Sequence, residues 1–175
     1  MRVWKDIISG DEMLSDSFPM KLIYDDAAIE AKARFVTKKE NEDCGIAANA
    51  DADDENPSAD AAVDDKTVTV IDIVDALRLQ EITLDKASFM AYIKGYLKAV
   101  KEKLEASGKA DRVAVFQKGA TALVKELVGK WNEVQVFTGE SGNWEAGLAY
   151  CYMKDQSDDG PTFYLFNDGL KMEKY

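Results

Sequence analysis

The sequence predicts an α+β fold in one domain, 1–175, with short strands on both sides of a two-helix insertion. Three observations carry that expectation. Residues 84–131 form two arms whose apolar side chains recur every three or four positions. Runs of β-branched and aromatic residues, punctuated by Gly, Asn, Asp and Ser, lie before and after those arms. Residues 38–66, by contrast, show no apolar period at all. A chain of 175 residues is long enough to bury about 70% of its unfolded surface around a core.

Residues 1–39 alternate short apolar patches (Val3-Trp4, Ile7-Ile8, Leu22-Ile23-Tyr24 and Ala31 to Val36) with Gly10-Asp11, Ser15-Asp16-Ser17 and Asp25-Asp26, a pattern of strands and turns. The alternation from Ile29 to Phe35 fits a strand with one wet face, with helix as the alternative for its alanine-rich part. Residues 38–66 turn to Asp, Glu, Ala and Asn and read as a long flexible acidic loop. Val68 to Val74, β-branched and apolar apart from Asp72, predicts a buried strand.

In the insertion, Phe89, Ile93, Tyr96, Leu97, Val100 and Leu104 form the first stripe. Val113, Phe116, Ala120, Leu123, Val124, Leu127 and Trp131 form the second. Thr83 is the expected N-cap and Asp85 the expected first-turn acid. Ser107-Gly108 stops the first arm and Asp111 opens the second, so the arms are antiparallel neighbours. Gly95, Gly119 and Gly129 each cost about 1 kcal/mol against alanine in a helix interior, which close packing would offset. Glu133 to Thr138, Gly147 to Met153 and Thr162 to Phe166 read as strands, with turns at Gly139 to Asn143 and at Asn167-Asp168-Gly169.

Composition excludes several chemistries. The chain has no histidine, which removes Ser-His-Asp, Cys-His and histidine-zinc sites. Cys44 and Cys151 are too few for a disulfide framework and have no metal-ligand spacing, so they read as free thiols. Without a reactive-cysteine setting or a phosphate-cradling glycine loop, no catalytic constellation forms and a non-enzyme is expected. No apolar run approaches the ~20 residues of a membrane span. Asp6 interrupts the start of the chain before a signal-peptide core, which makes the cytosol the expected compartment.

The net charge of −11 is unevenly placed. Residues 40–65 hold ten acids and no base, leaving 23 acids against 22 bases elsewhere, whereas 85–130 hold ten bases and five acids. The tract Asp51-Ala52-Asp53-Asp54-Glu55 suggests calcium, but a helix-loop-helix site needs Gly sixth and Glu twelfth, where Asn56 and Ala62 stand. Solvated charge is the ordinary reading of such a tract. The basic insertion lacks the interleaved aromatics of a single-strand platform, so nucleic acid is not an expected partner.

Four stretches then stand in order: Asp11-Glu12-Met13-Leu14-Ser15-Asp16-Ser17, Val70-Ile71-Asp72-Ile73-Val74, Phe137-Thr138-Gly139-Glu140, and Asn167-Asp168-Gly169-Leu170-Lys171-Met172-Glu173-Lys174. Together they resemble the translationally controlled tumour protein family over nearly the whole chain. The resemblance implies a mostly antiparallel β-tent with a projecting two-helix hairpin and a long flexible acidic loop. It implies a non-enzymatic cytosolic interaction protein, monomeric, that supports growth and survival through protein partners. Members of that family are associated with calcium, tubulin and microtubules, translation elongation factors, Bcl-2-type regulators and Rheb-type small GTPases. Their guanine nucleotide exchange role is contested.

Carried onto this chain, the family's GTPase-contacting glutamate falls on Glu12. A plain surface turn residue beside Met13 accounts for the same glutamate. Against acidic partners such as tubulin tails, the hairpin offers Lys94, Lys98, Lys101, Lys103, Lys118 and Lys125. A solvated helix face explains these lysines without a partner, and the resemblance turns the reading toward binding. Low-affinity calcium is the one cofactor expected, with no ligands assigned. Three departures from the family matter; in one, Trp131 stands where an apolar residue opens the aromatic-Gly-Glu signature, a conservative change. Tyr175 stands where its animal members tend to end in cysteine, and Asp51 stands where they offer a loop serine to a Polo-type kinase, leaving Ser58 as the serine of that segment.

Overall fold

The computed structural model describes residues 1–39 and 67–175. The acidic segment expected over 38–66, with its calcium-like tract, Cys44, Asp51 and Ser58, lies outside the described residues from position 40 onward. The strands before the helices are β1 (Arg2–Asp6), β2 (Glu12–Ser15), β3 (Met20–Ile23), β4 (Ala28–Lys32), β5 (Phe35–Lys39) and β6 (Thr67–Ile71). A short helix α1 (Asp72–Leu77) and strand β7 (Gln80–Ile82) lead into α2 (Lys86–Ala106) and α3 (Ala110–Gly129). The chain closes with β8 (Gln135–Thr138), β9 (Ala149–Tyr152), β10 (Thr162–Phe166) and β11 (Leu170–Lys174).

Every strand pairing among the described residues is antiparallel. A six-stranded sheet runs β3-β4-β10-β9-β8-β7, a three-stranded sheet runs β11-β1-β2, and β5 pairs with β6 as a ribbon. The fold is the expected α+β arrangement of antiparallel sheets with a helical hairpin.

Strand alternation splits the core in two. Tyr164 and Phe166 of β10 join Phe89, Ile93, Tyr96, Val100, Phe116, Leu123 and Leu127 between the hairpin and the sheet. Phe163 and Leu165 point the other way, to Met13, Leu14, Ile29, Phe137 and Ile73. Both helical stripes therefore find their partner inside the molecule.

Local chemistry departs from the sequence reading at several points. Asp85, not Thr83, caps α2, because its carboxylate accepts the Ser88 N–H three residues on, at 2.7 Å. That backbone bond holds the Asp85 carboxyl below the usual range. The stretch Val68 to Val74 is strand only to Ile71. There the Asp72 carboxylate accepts the N–H groups of Arg34 (2.9 Å) and Ile73 (2.7 Å) and turns the chain into α1.

Ile29 to Phe35 is two strands, and β4 has no wet face along Ala28 to Ala31 because a core cluster lies on either side. Asn167–Gly169 is a 3-10 turn, and the unassigned residues after it form β11 against β1. α3 stops at Gly129, and Trp131 opens a separate 3-10 turn whose indole stacks on Phe89 at 4.4 Å and donates to the Leu84 carbonyl at 3.1 Å.

Polar groups bind the layers together. Glu30, only 8% exposed on β4, accepts from Lys154 and Tyr164 at 3.0 Å each and pairs with Lys21 at 3.4 Å. Burial opposes its ionisation, but the bonds from Lys154 and Tyr164 outweigh burial and hold its carboxyl below the usual range. Tyr24 and Tyr152 both donate to Glu126 of α3, at 2.5 and 2.6 Å, and burial, reinforced by those bonds, pushes each phenol up to about 12.

The turn between β3 and β4 places Tyr24, Asp25 and Asp26 in the left-handed region, with φ of +53°, +56° and +67°. It is held from outside. Arg112 donates to the Asp25 carbonyl at 3.0 Å, Asn167 donates to the Asp26 carbonyl at 2.9 Å, and Gly119 lies so close to Tyr24 and Ala27 that a side chain there would collide with them. Arg112 also grips Asp168 through two bonds of 2.9 and 3.1 Å.

Candidate functional site

The apolar face of α2 is taken up by Phe89, Ile93, Tyr96, Val100 and Leu104, so its lysines are turned outward. Lys94, Lys98 and Lys101 follow at four- and three-residue spacing and line a groove of about 460 Å3 between the helices with Leu97, Gln117 and Thr121. Lys118 and Lys125 are exposed two turns apart on α3 and do not line that groove. Lys103 belongs to a different groove altogether. Thus three of the six expected lysines come together and three do not. Among the described residues none of the six takes part in an ion pair.

The second groove, of about 670 Å3, lies between the end of α2 and β11. Ile7, Leu104, Leu170 and Met172 give it an apolar lining, and Lys103, Lys109 and Lys171 surround them. Sequence reasoning missed Lys109 and Lys171 as partners of Lys103. Lys109 was hidden in the connector, and Lys171 is brought there only by the pairing of β11 with β1.

Glu12 begins β2 and is exposed, opposite Lys5 of β1 beyond a register shift. No hydrogen bond or ion pair engages its side chain among the described residues. Its neighbour Asp11 is fixed, because its carboxylate accepts the N–H and hydroxyl of Ser141 at 3.3 and 2.5 Å. Gly139 packs directly on Asp11, leaving no room for a side chain. The segments Asp11 to Ser17 and Phe137 to Glu140, far apart in sequence, therefore build one corner of the molecule, and Glu140 pairs there with Arg78 at 3.2 Å. Asp6, 2% exposed, ties the same corner down by accepting from Ser9 N–H at 2.7 Å and Gly147 N–H at 3.1 Å.

Cys151 is a free thiol in the core, pushed up to about 12 by burial and then by Glu81. A thiol so placed is a poor nucleophile. Among the described residues no group of three or more Asp, Glu, Cys or His could hold a metal ion, and no helix is long and apolar enough to cross a membrane.

Comparison with known proteins identifies the lineage. The family model described as translationally controlled tumour protein matches residues 1–171. The chain belongs to that family. It is 38% identical over 177 residues to the translationally controlled tumour protein homologue of Schizosaccharomyces pombe, covering all of both chains. To the homologue of Danio rerio it is 40% identical over 178 residues, covering 99% of each. Among solved structures, the translationally controlled tumour-associated protein of Schizosaccharomyces pombe superposes with a TM-score of 0.80 at 36% identity, over all of both chains. In this translationally controlled tumour protein family member, two of the segments that carried the resemblance meet in space, Asp11 lying against Gly139 and Ser141, while Leu170–Lys174 pairs with β1.

Proposed function

We propose that the chain is a non-enzymatic cytosolic interaction protein whose hairpin lysines hold acidic protein partners, tubulin and microtubules foremost. The observation that carries this reading is the stripe Lys94, Lys98 and Lys101, exposed or half-buried, without ion pairs among the described residues, and set around Leu97 in one groove. The apolar side of the same helix is already used by the core, so the lysine side is the one left for a partner. Translation elongation factors and Bcl-2-type regulators are further partners of the same binding class, and low-affinity calcium binding belongs to the same reading, with no ligands assigned.

Cosedimentation with microtubules across a salt series tests the reading. Screening weakens an electrostatic contact, so attachment should fall as salt rises and fall further in the double variant Lys94→Glu, Lys98→Glu. Attachment insensitive to both would rule out lysine-driven binding.

A second reading, regulation of a Rheb-type small GTPase, is favoured by Glu12. Its carboxylate is exposed and has no partner among the described residues, and Asp11 beside it is anchored to Ser141, so it is presented from a fixed corner. A carboxylate there contributes to exchange by disturbing the Mg²⁺ and phosphate site, without sufficing alone. Glu12→Val should slow nucleotide release from such a GTPase, and unchanged release removes Glu12 from the mechanism.

A further inference from the structure

The groove at the tip of the hairpin is built differently from the lysine stripe. Lys103 lies two residues beyond Lys101 and so about 200° further round the helix, on the side of β11. Among the described residues the one acid lining this groove, Asp168, is already engaged by both bonds from Arg112. Among the described residues the lining therefore offers Lys103, Lys109 and Lys171 no free carboxylate, and Glu173 beside Lys171 is already paired with Lys5 at 2.9 Å. Within the apolar lining Leu104 is buried, Ile7 and Leu170 are half-buried, and Met172 is 42% exposed.

β11 is also an edge strand of its sheet, opposite β2. Met1 and Tyr175 exchange backbone bonds of 2.9 and 2.7 Å, and Ile7 N–H donates to the Gly169 carbonyl at 3.0 Å. Bonded pairs alternate with unbonded ones along an antiparallel ladder. In this register the bonded pairs between those ends are Val3 with Glu173 and Lys5 with Lys171. The N–H and C=O groups of Met172 and Lys174 consequently face away from β1, and none has a partner among the described residues. Successive side chains leave a strand on opposite faces, yet Leu170, Lys171 and Met172 all line the groove. The groove therefore runs along the open edge.

We propose that this edge docks an extended segment of a partner protein in which apolar and acidic residues alternate, so that the segment adds a strand to β11. Backbone bonds to Met172 and Lys174 set its register, its apolar side chains enter beside Leu170 and Met172, and its carboxylates meet Lys103, Lys109 and Lys171.

The test is fluorescence anisotropy of the full chain with a short labelled peptide alternating valine and glutamate. Two further versions carry N-methyl groups on one or the other set of alternate residues, so that each blocks one edge of the peptide. Saturable binding is expected, weakened by about tenfold or more in Lys103→Glu, Lys171→Glu and lost for one methylated peptide but not the other. No binding, unchanged affinity in the lysine variant, or equal behaviour of the two methylated peptides would overturn the proposal. Circular dichroism checks that the variant folds, and the methylated pair decides the matter on the unaltered protein if it does not. The readout is independent of microtubule attachment, which uses the Lys94 groove, so either can fail while the other stands.

Discussion

Glu30 carries its charge inside the sheet, with Lys154, Lys21 and Tyr164 around it. A carboxyl whose folded pKa lies below its unfolded value stabilises the fold above the unfolded pKa, and that contribution disappears as pH falls through the folded pKa. For Glu30 the loss begins below its ordinary value of 4.5. Glu30→Gln should therefore cost about 1–3 kcal/mol at neutral pH, with the gap to the unaltered protein narrowing in denaturant melts below pH 4.5. The sequence marks Glu30 only as the polar member of an alternating strand; its burial depends on the two core clusters that enclose β4. Residue chemistry was legible where it is local. The outward position of Lys94, Lys98 and Lys101 follows from helical spacing alone, whereas the company kept by Lys103 depends on a strand some seventy residues away, at roughly the far end of a fold closed by antiparallel pairing.

Within the hairpin the three helix glycines look alike in sequence and differ in the fold. Gly119 abuts Tyr24 and Ala27, while a side chain at Gly95 or Gly129 would meet nothing within 4 Å. Gly119→Ala should accordingly destabilise by about 1–3 kcal/mol through overpacking. Gly95→Ala and Gly129→Ala should each stabilise by up to about 1 kcal/mol, all read as shifts in denaturation midpoint. The arms themselves were legible because each repeats its stripe over several turns, and the stop at Gly108 follows from its φ of +77°. The β6-α1 junction was not. Asp72 ends the strand by capturing the amide of Arg34, a contact between segments that the sequence alone does not place together.

For the whole molecule, four short motifs were enough to indicate the family, and the fold explains part of why they travel together, since two of them form a single corner through Asp11 and Gly139. The left-handed turn at Tyr24, Asp25 and Asp26 has a bearing on how such a molecule assembles. Left-handed residues cost about 1–2 kcal/mol each, so β3 and β4 gain little by meeting early as an isolated hairpin. The groups that hold the turn come from Arg112 and Asn167, 87 and 141 residues further along the chain. We predict that the turn closes late, after the docking of α3 and the C-terminal strands. Arg112→Ala should speed unfolding in stopped-flow experiments and leave refolding nearly unchanged, and an equal slowing of refolding would place the turn in the nucleus instead. The order of assembly is written in a clamp that cannot act until most of the chain has already arrived.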